Sequence, residues 1–174
     1  MLRALPLLLL LTLFSSACNS AEGNTLNTPA REGVTTIYLV RHAEKGDGED
    51  PDLTSEGSAR AARLAQRLSG TDLAAVYTTD TKRTHQTADP TATAQGLETF
   101  TYSPDRLGEL ADNLLRDHAG ETILVVGHSN TTPALANQLA GQDTQNAFDD
   151  SDYGNILVVT VPTEGTARIE NLRY

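Results

Sequence analysis

The chain has 174 residues, 39% of them hydrophobic and 21% charged, a balance that suits a folded protein and argues against wholesale disorder. Its formal charge of −10 argues against nucleic acid as a partner, because binding that backbone needs clustered Lys and Arg. Any anion site on such a chain must be a local positive pocket in a negative field.

The N-terminus reads as an export signal over residues 1–17. Arg3 supplies a short positive start, and Ala4 to Phe14 form an apolar stretch of 11 residues. That is well short of the ~20 needed to cross a bilayer as a helix. Ser15-Ser16-Ala17 precede Cys18, the sole cysteine, which therefore has no disulfide partner within the chain. The same bond is where a lipoprotein signal is cut, although Ser15 stands where Leu is commoner. The expectation is an exported lipoprotein of a bacterial cell envelope, held by lipid on Cys18 and facing the periplasm or the exterior. Residues 18–33 are polar and aperiodic and read as a tether. Residues 34–174, about 140 of them, suit one domain with a single core.

Beyond the tether, short apolar runs alternate with helical patterns. Thr35 to Val40 reads as a buried strand. Thr54 offers an N-cap to a helix whose apolar face is Ala61, Leu64, Ala65 and Leu68, ending near Gly70. Leu73 to Tyr77 is a second strand, followed from Thr81 by a helix that Pro90 should break after Asp89. Leu97 to Tyr102 reads as an edge strand, and Ser103-Pro104 as a cap with proline at the first helical position. Leu107, Leu110, Ala111 and Leu114 line the buried side of that helix, and Gly120 stops it. Ile123 to Val126 is a third buried strand, with a helix from Thr131 to Ala140 behind it. Ile156 to Val161 and Thr166 to Leu172, joined through Pro162 to Gly165, form an antiparallel pair. The pattern predicts a three-layer α/β/α sandwich whose central sheet is mostly parallel with an antiparallel edge.

In such sheets ligands bind beyond the carboxyl ends of the strands. Arg41 and His42 follow the first strand here. Thr78-Thr79-Asp80 follow the second, with Arg83 one turn into the next helix, and Gly127, His128 and Ser129 follow the third. Two arginines and two histidines thus converge on one sheet edge beside helix N-termini, an arrangement suited to an anion.

These segments resemble the histidine phosphatase superfamily, also called the phosphoglycerate mutase-like family. Leu39-Val40-Arg41-His42-Ala43-Glu44-Lys45 is similar to its signature, and Leu53-Thr54-Ser55-Glu56-Gly57 to the start of its first helix. Tyr77 to Ala88 resembles the segment bearing its second arginine, and Val125-Val126-Gly127-His128-Ser129-Asn130 the segment bearing its second histidine. The resemblance implies that His42 is a nucleophile forming phosphohistidine, that Arg41 and Arg83 hold the phosphoryl oxygens, and that protonated His128 donates a hydrogen bond to them. It implies no cofactor and no metal, and the chain shows no metal-ligand spacing of its own. A phosphorylated small molecule or a phosphoprotein is the implied substrate, and the short chain favours a phosphatase over a mutase. Glu44, beside the nucleophile, is a candidate for substrate binding. Glu109 lies in the interval expected for a proton donor, but within a helical pattern. Asp47, Glu49, Asp50 and Asp52 lie in a loop that could fold over the site but reads first as a solvated acidic connection, while His85 and His118 read as ordinary helix residues. Asp149-Asp150-Ser151-Asp152 reads as a loop at the rim. The competing reading is a catalytically silent surface lipoprotein that uses the pocket to hold an anion.

Overall fold

The computed structural model describes residues 33–174. In chain order the elements are β1 (Val34–Arg41), α1 (Ser55–Arg67), β2 (Ala75–Thr79), α2 (Lys82–Gln95), β3 (Thr99–Tyr102), α3 (Leu107–Asp117), β4 (Thr122–Gly127), α4 (Thr131–Ala140), β5 (Asn155–Pro162) and β6 (Arg168–Arg173). The expected signal, nearly all of the tether, and Cys18 lie outside the described residues.

The six strands form one sheet in the order β3-β2-β4-β1-β5-β6. The first four are mutually parallel, β5 runs antiparallel to β1, and β6 antiparallel to β5. Alternation along the strands divides the core in two. Ile37, Leu39, Ile123 and Val125 face one side, with Leu110 and Leu114 of α3 and Leu135 and Leu139 of α4. Val40, Leu124 and Val126 face the other, with Leu64 of α1 and Ala88 and Ala92 of α2. Helices therefore cover both faces of the sheet, the three-layer arrangement that the continuous apolar strands predict.

Three local expectations are corrected. The second strand starts at Ala75 rather than Leu73: Leu73 is buried, but it packs ahead of the ladder. Pro90 does not break its helix, and α2 runs unbroken from Lys82 to Gln95 with the proline inside. The proline removes the amide that would pair with the Gln86 carbonyl. Thr87, Ala88, Thr91 and Ala92 are buried on both sides of it, and their packing holds the helix through that missing bond. Pro104 does not open α3 either. The Arg106 N–H bonds the Ser103 carbonyl at 3.2 Å, so Pro104 sits inside a tight turn and the helix begins at Leu107.

Because α1 and α2 leave the sheet towards one face and α3 and α4 towards the other, the connections after neighbouring strands β1 and β4 diverge. A crevice opens between them, where such sheets place their ligands. The segment after β1 is clamped from below by α1. The Thr54 hydroxyl caps that helix by accepting the Gly57 N–H at 3.1 Å, and the Thr54 N–H bonds the Glu44 carbonyl at 2.9 Å. Gly57 lies so close to the backbone of Glu44 that a Cβ there would overlap the Glu44 carbonyl oxygen. The glycine of the Leu-Thr-x-x-Gly stretch is thus a packing requirement. Gly57→Ala should cost about 2 kcal/mol or more, as overpacking does, seen as a lower urea midpoint at unchanged slope. A midpoint equal to the parent's would show that α1 can retreat freely.

Candidate active site

His42 extends the β1–β4 ladder, its backbone N–H donating to the Gly127 carbonyl at 2.9 Å. The side chain is 4% exposed, and Nδ1 lies 2.8 Å from the Ala43 carbonyl. A carbonyl only accepts, so Nδ1 carries the hydrogen and Nε2 holds a free lone pair. The next residue is fixed from α2, where the Thr87 hydroxyl accepts the Ala43 N–H at 2.9 Å and donates to the Arg83 carbonyl at 2.7 Å. Burial, with smaller contributions from Arg41, His128 and Arg83, lowers the His42 pKa from 6.5 to about 4 despite the opposing Ala43 bond. The ring is therefore neutral near pH 7.

His128 starts the turn into α4, its backbone N–H bonding the Thr131 hydroxyl at 3.0 Å. Its ring meets that of His42 edge to face, with centroids 5.5 Å apart. Nε2 lies 2.9 Å from the Thr79 hydroxyl at the end of β2. Burial first, then Arg83 and Arg41, lowers its pKa to about 4 as well. Gly127 before it has no room for a side chain, since a Cβ would stand 2.8 Å from the Tyr102 hydroxyl.

The two arginines hold their forks by different means. Arg41 Nη1 donates to three backbone carbonyls, those of Asp149 at 2.9 Å, Asp150 at 3.1 Å and Asp152 at 3.2 Å. The guanidinium carbon sits 4.1 Å from the centre of the Tyr153 ring, which also lies 6.1 Å from the His42 ring. Arg83 Nη1 is 3.5 Å from Asp50. In both side chains the buried Nε–H meets no acceptor among the described residues. A buried, unpaired cationic donor is costly unless an anion completes it.

The structure therefore brings Arg41, His42, Arg83 and His128 together and leaves Glu44 elsewhere. Both Glu44 carboxylate oxygens accept from Arg60 Nε of α1 at 2.8 Å, and the side chain is 15% exposed. Burial would raise its pKa, but the Arg60 bonds outweigh that and the net shift is downward. Glu109 pairs with Arg106 on the surface of α3 at 3.1 Å. His85 approaches Asp80, and His118 ends α3 between Tyr77 and Glu121, both apart from the paired histidines.

The acidic connection after Lys45 is not merely solvated. Asp50 accepts the Lys82 N–H at the start of α2 at 3.1 Å and reaches Arg83, while Asp52 accepts from Gln86 at 2.8 Å. At the other rim the Asp150 side chain is 99% exposed; its carbonyl accepts from Arg41 Nη1, and its carboxylate lies 3.9 Å from Arg41 Nη2. Sequence reasoning missed Tyr153; Thr79, at the end of β2, reads there only as one of the polar residues at a strand end, and Asp50 only as part of a loop that could fold over the site. Among the described residues no group of three or more His, Cys, Asp or Glu is placed to hold a metal ion.

Comparison with known proteins agrees with this arrangement. The profile of the histidine phosphatase superfamily (branch 1) matches residues 37–104, a stretch containing Arg41, His42 and Arg83. Over that stretch the chain is similar to this superfamily. Phosphoserine phosphatase 1 of Hydrogenobacter thermophilus is 38% identical over 85 residues, 44% of this chain, and the chain spans only 39% of that protein. The protein histidine phosphatase SixA complexed with tungstate superposes with a TM-score of 0.66 at 17% identity, covering 79% of this chain and 96% of that one. YhfR of Bacillus stearothermophilus superposes at 0.64 with 21% identity, covering 78% and 95%. Likenesses at that identity speak for the fold.

The two depressed histidines make stability pH-dependent. Above pH 6.5 both rings are neutral folded or unfolded and contribute nothing. Between about 6.5 and 4 the unfolded chain takes up protons that the folded rings refuse, so stability falls as pH falls. The loss should be on the order of 2 kcal/mol per ring. Urea midpoints at pH 7 and pH 4.5 should therefore differ less in His42→Asn and His128→Asn than in the parent. Equal differences in all three would rule the effect out.

Proposed function

We propose that the chain is a phosphohydrolase that works without a metal through a phosphohistidine on His42 Nε2, acting on a phosphomonoester or a phosphoprotein outside the cytoplasm. The observation that carries this reading is the His42 ring itself. Its Nδ1–H is tied to the Ala43 carbonyl, which leaves an uncharged Nε2 lone pair beside two arginines with unpartnered Nε–H groups. Nε2 would attack phosphorus as the bond to the leaving oxygen or nitrogen breaks. Water would then displace phosphate from Nε2 and restore the free ring. Arg41, Arg83 and His128 would take up the charge on the phosphoryl oxygens.

Glu44 and Glu109 are each engaged with an arginine, and Asp50 is bonded to a helix N-terminus. The Arg60 bonds hold the Glu44 carboxyl below the usual range despite its burial, so it donates a proton poorly. This favours substrates whose leaving group needs little protonation, such as a phosphoramidate or an acyl phosphate. The likeness to a protein named histidine phosphatase supports the same class. The second reading, a silent anion-binding lipoprotein, draws on Asp50, which already neutralises part of Arg83. We place the protein at the membrane through lipid on Cys18.

The purified chain, given an aryl phosphate and a metal chelator, should show turnover that His42→Ala reduces at least about 1000-fold, as loss of a covalent nucleophile does. Rapid quenching should trap acid-labile, base-stable phosphate on His42. Turnover undiminished in the variant would remove the nucleophile, and phosphate binding without turnover in either protein would favour the silent module. Cys18→Ser should release the protein from membranes, and retention there would sink the anchor.

A further inference from the structure

We infer that Thr79, at the end of β2, is a positioning residue that holds His128 as its Nε2–H tautomer through a chain of threonine hydroxyls. The inference rests on the reading that His128 faces the transferring phosphoryl group. Its structural half can be tested without any substrate.

Each hydroxyl has one hydrogen to give. Thr84 Oγ1 lies 2.8 Å from the Thr79 carbonyl and 2.9 Å from the Thr81 carbonyl. Carbonyls only accept, so the single Thr84 hydroxyl proton is committed to them. The same oxygen lies 3.1 Å from the Thr79 hydroxyl and 2.9 Å from the Thr81 hydroxyl, and so must accept from both. The Thr79 proton is then spent on Thr84. Its 2.9 Å contact with His128 can only be Nε2–H donating to Thr79 Oγ1. The opposite assignment leaves the Thr79 and Thr84 oxygens in contact with no proton between them. Both residues are almost wholly buried, where a forfeited hydrogen bond is not replaced by water.

The two histidines are thus opposite tautomers. His42 has hydrogen on Nδ1 and a lone pair on Nε2, whereas His128 has hydrogen on Nε2 and a lone pair on Nδ1. Nε2 of His128 stays with Thr79, so a phosphoryl oxygen can be met only from Nδ1, after that atom takes a proton from solvent or from a monoanionic phosphate. A hydroxyl oxygen accepts from the neutral ring and from the imidazolium alike, so no bond has to be remade when charge arrives. By accepting from the charged form, Thr79 also raises the pKa of His128 in the phosphate complex. The ionisable groups facing His128 are Arg41 and His42 after β1 and Arg83 of α2, with Asp80 and Tyr102 lining the same cleft. A change at Thr79 alters none of them.

The test combines imidazole nitrogen NMR with pH profiles on the parent, Thr79→Val and Thr79→Ser. In the free parent His128 should show a protonated Nε2 and a bare Nδ1, and saturation with inorganic phosphate near neutral pH should protonate Nδ1. Thr79→Val should mix the two tautomers and move the basic limb of the kcat profile down by about one pH unit, while Thr79→Ser restores both. A free parent with hydrogen on Nδ1 would overturn the inference even if Thr79→Val failed to fold. So would a basic limb that stays in place in Thr79→Val. An absence of turnover in the parent would count against the phosphatase reading alone, because the tautomer is read without substrate.

Discussion

The site depends on the parallel ladder between β1 and β4. In that register Arg41 stands opposite Gly127, and the bond from the His42 N–H to the Gly127 carbonyl carries the pairing one residue beyond the strand. The two histidines therefore leave adjacent strands at the same level, and their rings meet across the crevice. A slip of one residue would turn His42 to the other face of the sheet. The alternation of Ile37 and Leu39 with Val40 across two different core faces prevents that slip. Packing the core and placing the site are consequently one constraint.

Charge is organised in the same economical way. Two guanidiniums stand near two rings in a chain of formal charge −10, and the rings answer by staying neutral. Arg41 is steadied by three main-chain carbonyls, with the exposed Asp150 carboxylate 3.9 Å from it. Arg83 meets a carboxylate, which cancels part of its charge. The two arginines are thus unequal. Arg41 is held in a fixed direction by three backbone carbonyls, while Arg83 is paired more closely with a carboxylate, that of Asp50. Arg is suited to both tasks because a planar fork can bond a carbonyl or carboxylate on one edge and leave Nε–H for a ligand.

Much of this was legible in the residues. The β-branched runs gave the strands, Thr54 gave the cap of α1, and the polar residues after three strand ends gave the four convergent side chains. What failed was local chemistry judged without tertiary context. Pro90 reads as a helix breaker, but burial of Thr87, Ala88, Thr91 and Ala92 outweighs one lost backbone bond. Ser103-Pro104 reads as a helix start, but a turn uses the same fixed φ equally well. Glu44 stands two residues after His42 in sequence, yet its partner is Arg60 on the next helix, sixteen residues away. Tyr153 and Asp50 reach the site from loops, where no periodicity reports which way a side chain points.

The threonines show why chemistry of this kind escapes a motif. Thr79, Thr81, Thr84 and Thr87 look like a polar stretch at the start of α2, and each could be taken as simple helix capping. In the fold they divide into two devices. Thr87 links Ala43 to the Arg83 carbonyl and so fixes the backbone that orients His42. Thr79, Thr81 and Thr84 share protons in an order that reaches His128. Each hydroxyl has one proton to give, and the carbonyls at the end of the chain decide its direction. The tautomers of both histidines are thereby set, that of His42 through the Ala43 carbonyl and that of His128 through the Thr79 hydroxyl. That difference fits the unequal tasks proposed for them: a nucleophile needs a bare nitrogen held rigidly, and a charge-stabilising ring needs a nitrogen free to gain a proton.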